Sequence, residues 1–103
     1  MQKEVAQKLY IVMLELFYMY DPAGLSDIAP FDEYAPEVGM LLARPEIFED
    51  QERLRAEIYA TCAVCFGARN ILPVADETYT KLAKEFIFAK EIFQEHDARA
   101  LCR

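Results

Sequence analysis

Residues 2–25 read QKEVAQKLYIVMLELFYMYDPAGL, and this stretch decides the fold. Val5, Leu9, Val12, Leu16 and Met19 recur at alternating spacings of four and three, the periodicity of one helix face. β-Branched residues are few, while Glu, Lys, Leu and Met are common, so a helix is favoured over a strand. From Leu9 to Tyr20 only Glu15 is charged. A helix apolar all round is buried on every side or pairs with another chain. That run rises only about 18 Å as a helix, short of the roughly 30 Å bilayer core. Asp21-Pro22 stops it, because proline disfavours the α region in the residue before it. Gly24 supplies the positive φ that reverses the chain.

Reading outward from that turn, residues 21–35 form a loop. Pro36 opens a short helix, since a first-turn proline gives up no hydrogen bond. Glu37 suits the positive end of its dipole, and Val38, Leu41 and Leu42 form its apolar face. Arg44-Pro45 ends it. A third helix is expected over residues 45–66, with Ile47, Leu54, Ile58, Cys62 and Cys65 on its stripe and Gly67 as its C-terminal cap. Asp76 caps a fourth helix running to His96, with Tyr79, Leu82, Phe86, Ala89 and Phe93 on its stripe and Phe88 and Ile92 beside them. The tail from Asp97 is expected to fray. No segment alternates as a strand. The expectation is therefore a single all-α domain over residues 1–103, a compact bundle of four helices, three long and one short. An acidic loop joins the first to the second.

The chain has 103 residues, 54% apolar or aromatic, and a net charge of −7. Such apolar content excludes a disordered tail. The charge is local. Residues 21–50 hold eight acids against Arg44 alone, a balance of −7, while the remainder carries ten acids and ten bases. An acidic chain is a poor ligand for phosphate backbones, so direct nucleic-acid binding is not expected. Clustered charge instead steers a partner of opposite sign.

Few residues invite chemistry. Three cysteines, an odd number, do not form a disulfide framework, and reduced thiols fit a cytoplasmic protein. Glu4 precedes the apolar run and no small-residue cleavage site follows it, so a secretory signal is not expected. Cys62-x-x-Cys65 lies late in a helix with no strand before it, unlike a redox pair, and its apolar stripe favours burial. A zinc site would need Cys102 and His96 to fold back. His96, the sole histidine, suits a helix C-terminus. Asp27, Asp32 and Glu33 do not fit a calcium loop, and no phosphate loop or nucleophile elbow occurs. No cofactor, metal or enzymatic activity is expected.

Tyr20-Asp21-Pro22-Ala23-Gly24-Leu25, followed by Asp32-Glu33-Tyr34 and Pro36-Glu37, resembles the small bacterial proteins grouped as domain of unknown function 1871. Their mark is an aromatic-Asp-Pro-x-Gly turn after a first helix, then an acidic segment with a tyrosine. Where that family usually carries tryptophan, this chain has Tyr20. The resemblance implies a small helical cytoplasmic protein. Related Asp-Pro-x-Gly proteins include immunity proteins that neutralise toxins. The turn also has a structural account in Asp21, Pro22 and Gly24 themselves.

These readings lead to a small acidic, non-enzymatic binding protein of immunity or inhibitor type. Asp27, Asp32, Glu33, Tyr34 and Glu37 would contact the partner. The carboxylates would occlude a basic site on a toxin or nucleic-acid-processing enzyme, and Tyr34 would fill a pocket. A second reading, drawn from the apolar first helix, is a structural or regulatory homo-oligomer such as a homodimer.

Overall fold

Helix α1 (Lys3–Tyr20) buries Val5, Leu9, Met13 and Phe17, each four residues from the next, with Leu14 beside them. The heptad-like stripe expected from the sequence gives way after Leu9. Val12 and Leu16 are only half-buried, and Met19 is 73% exposed. Two helices compete for the same apolar helix, and their positions choose the face: α1 packs on α4 on one side and on α2 on another. The structure, a computed structural model, describes residues 1–25 and 33–101, with side chains as far as His96. Asp27, Phe31, Asp32 and Cys102 lie outside the described residues.

Short helix α2 (Ala35–Leu42) starts with Pro36 in its first turn and buries Val38 and Leu41. Arg44 then bonds Glu57 of the next helix at 2.7 Å. The third helix expected from residue 45 is broken. Pro45–Glu49 is a 3-10 turn, and α3 (Gln51–Phe66) starts afresh after Asp50. Asp50 is extended, at φ −136° and ψ 120°, and its side chain accepts the Glu52 N–H at 2.9 Å. That is the geometry of an N-terminal cap, which satisfies a donor the helix cannot satisfy itself. The break swings Ile47 and Phe48 into the core, both under 2% exposed.

Gly67, at φ +87°, closes α3, and its N–H bonds to Ala63 O. A short 3-10 turn (Ala68–Asn70) follows. Asp76 accepts the Thr78 N–H at 2.9 Å as α4 (Glu77–Leu101) begins. The Thr78 side chain and N–H hold the Asp76 carboxyl below its usual range. Helix α4 continues past His96, where the sequence placed its end, to Leu101. Four α-helices, three long and one short, make an all-α bundle with no strand among the described residues.

The core sits between α4 and the two long helices that pack on it, α1 and α3. Tyr79 on α4 is buried against Tyr59 on α3, with ring centroids 5.4 Å apart and an edge-to-face angle of 87°. Its hydroxyl donates to Leu72 O at 2.6 Å. Burial, with Cys62 and Tyr59 nearby, pushes that hydroxyl up to about 12. Lys90 is nearly buried, donating to Phe48 O at 3.3 Å with Glu49 at 3.8 Å.

Candidate functional site

The turn after α1 is a side-chain clasp. Asp21 adopts a left-handed conformation, φ 51° and ψ 58°, and its N–H still bonds to Phe17 O at 2.8 Å. A non-glycine residue there needs compensation, and aspartate tolerates the region better than most. Its Oδ1 accepts the Leu25 N–H at 2.7 Å and the Tyr34 hydroxyl at 2.8 Å. Tyr34 in turn accepts the Ala23 N–H at 3.0 Å. Gly24, at φ +66°, donates its N–H to Asp21 O at 3.0 Å. Pro22 O accepts the Leu72 N–H at 2.9 Å, tying the turn to the connection before α4. One carboxylate and one phenol thus satisfy two backbone N–H groups of an irregular segment, those of Leu25 and Ala23, and bond to each other.

Tyr34 is 1% exposed. It stacks on Phe17 at 5.1 Å and 8°, and meets Phe66 edge-on at 5.6 Å. Burial, with Asp21 accepting its proton, raises its hydroxyl far above the ordinary value; only the Ala23 N–H opposes this. The expectation that Tyr34 fills a partner's pocket is therefore corrected: the ring already fills a pocket in its own core. Glu37 is likewise not a contact residue, being only 2% exposed. A signal for both lay in the spacing. Tyr34, Val38 and Leu41 are four and three residues apart, so Tyr34 continues the apolar face of α2, and Glu37 flanks that face.

Glu37 faces α3. Its Oε2 is buried with no hydrogen-bond partner among the described residues. Cys62 is fully buried, whereas Cys65 is exposed and corrects its place on the core stripe. The Cys65 sulfur approaches Met40 Sδ at 3.8 Å. Burial, then the Glu37 carboxylate, push the Cys62 thiol up to about 12; at Cys65, whose residue is exposed, partial desolvation of the sulfur and then the Glu37 carboxylate push the thiol up to about 11. Such thiols stay protonated near neutrality, the reverse of what nucleophilic or redox chemistry needs. Among the described residues, no three His, Cys, Asp or Glu side chains could hold a metal ion. Alkylation of the native protein should therefore modify Cys65 and spare Cys62. The Cys65 rate should climb about tenfold per pH unit toward pH 11, as the thiolate fraction grows. Mass mapping of modified peptides reads this, and equal labelling of both thiols at neutral pH would contradict it.

The remaining acids of residues 21–50 divide by role. Asp21 builds the clasp, Glu49 faces Lys90, and Asp50 caps α3. Glu33 and Glu46 are exposed and have no ion pair among the described residues. They flank α2, whose eight residues rise about 12 Å. Among the described residues no helix is long and apolar enough to cross a membrane. Comparison with protein families, curated proteins and solved structures finds no match to this chain.

Proposed function

We propose that the protein is a small acidic, non-enzymatic binding protein of immunity or inhibitor type, acting in the cytoplasm by occluding a basic site on a partner protein. One observation carries this reading: the entire net charge of −7 falls within residues 21–50. The fold buries Glu37, builds the clasp with Asp21 and caps α3 with Asp50, while exposed Glu49 stands 3.8 Å from Lys90; Glu33 and Glu46 are the exposed acids of this segment with neither a cap nor an ion pair among the described residues. Asp27 and Asp32 join them in the proposal from sequence alone. Kinship with the small helical family that carries the Asp-Pro-x-Gly turn is part of the same proposal. The mechanism is electrostatic capture: carboxylates pair with Lys or Arg side chains that would otherwise hold phosphate.

Charge reversal tests it. The wild-type chain and an Asp32→Lys, Glu33→Lys, Glu46→Lys variant are immobilised and exposed to lysate of the native host at low salt. The wild type should retain a partner with a basic surface. The variant should associate with it at least about tenfold more slowly, and the difference should shrink as salt is raised. Equal retention and equal association rates would sink the proposal.

A further inference from the structure

Two large apolar side chains on α4 turn away from the core. Phe88 is 64% exposed and Ile92 is 45% exposed. They stand four residues apart and so share one face. That face lies opposite the buried Tyr79, Leu82, Ala83 and Phe86. Its charges are ordered along the helix. Exposed Lys81 and Lys84 precede Phe88, after exposed Glu77 and with half-buried Glu85 turned toward Tyr20 beside them, and exposed Glu91 and Glu95 follow it. Lys81 is held by Glu77 at 3.1 Å, whereas Lys84 and Glu91 make no ion pair among the described residues. Single exposed apolar residues are ordinary, but an apolar pair bracketed by opposite charges matches the layout of a helix–helix contact.

We infer that this face of α4 docks on the same face of a second copy of the chain, the two helices running antiparallel about a two-fold axis near Phe88. The order of charges selects this occupant. A two-fold contact is self-complementary, so each pairing occurs twice. Antiparallel docking sets Lys84 of each copy opposite Glu91 of the other, with the Phe88 rings meeting near the axis. Parallel docking would set Lys84 against Lys84 and Glu91 against Glu91, which like-charge repulsion disfavours. Ile92 then lies along the methylene stem of the facing Lys84, whose ammonium remains in water. Each copy brings only two exposed apolar side chains, Phe88 and Ile92, to the contact, so the dimer is weak and concentration-dependent. This contact does not use the acidic residues of the proposed partner site, and it stands or falls separately from it.

Sedimentation velocity at low salt, over roughly a hundredfold range of concentration, reads the outcome. The mean mass of the wild type should rise from monomer toward dimer and fall back as salt is added. Phe88→Asp should remain monomeric throughout. Lys84→Glu alone should weaken association, and Lys84→Glu combined with Glu91→Lys should restore it, because the exchanged pair is again complementary. All three substitutions fall on exposed positions, and unchanged helix content by circular dichroism shows that the variants fold. A wild type that stays monomeric at every concentration would overturn the inference. So would a dimer indifferent to Phe88→Asp, or a double exchange that fails to restore association. A monomer that uses this face for a different protein would overturn it as well.

Discussion

Tyr34→Ala should lower the stability of the fold by about 3–5 kcal/mol, the usual cost of deleting a buried aromatic ring. The ring is 1% exposed and lies between Phe17 and Phe66, so its removal leaves a cavity that three helices cannot easily close. The same substitution leaves Asp21 Oδ1 and the Ala23 N–H without the group that joins them. Tyr34→Phe keeps the ring and removes only the hydroxyl, so a smaller loss of about 1–3 kcal/mol is expected. Urea titration of the three proteins should give midpoints in the order wild type, Tyr34→Phe, Tyr34→Ala, with similar slopes. A Tyr34→Ala protein as stable as the wild type would show that the ring is not a core anchor.

Phe17→Ala is the second large effect, again about 3–5 kcal/mol. Phe17 is fully buried on α1 and touches two other elements: it stacks on Tyr34 before α2 and meets Phe86 of α4 at 5.4 Å and 60°. Its loss and that of Tyr34 should not add, because the two rings share one contact and one cavity. A coupling of about 0.5–3 kcal/mol is expected from the double-mutant cycle. A domain of this size has only about 5–15 kcal/mol to lose. The cycle is therefore best run with Phe17→Leu and Tyr34→Leu, which keep most of the apolar volume. Additive losses in that cycle would mean that the stacked pair contributes no more than its separate burial.

The helices were legible because their signals are local. Apolar residues recur at helical spacing, Asp21-Pro22 and Gly67 mark ends, and Asp76 marks a beginning. What depended on neighbours was not legible. The apolar run of α1 fits two stripes equally well, and only the positions of α2 and α4 choose Met13 and Phe17 over Val12 and Leu16. Asp50 reads as one acid in an acidic run, yet it interrupts the third helix as a cap. The pairing of Asp21 with Tyr34 joins residues 13 apart through a phenol and a carboxylate, which no periodicity encodes. Cys65 and Phe88 look like core residues from their spacing, but each sits past the edge of the surface its helix buries. The candidate site was legible as a charge count and not as a surface. Counting acids locates the charge in residues 21–50, but it does not separate Asp21, Glu37 and Asp50, which the fold uses, from Glu33 and Glu46, which face outward.

The clasp has a consequence for how this protein can diversify. Asp21 and Tyr34 fasten the two ends of the intervening stretch to each other and to the core, through groups that belong to neither the stretch nor its sequence. Diversification is therefore constrained at two positions together: a change at either Asp21 or Tyr34 releases both anchored ends at once, although the two residues stand 13 apart in the chain.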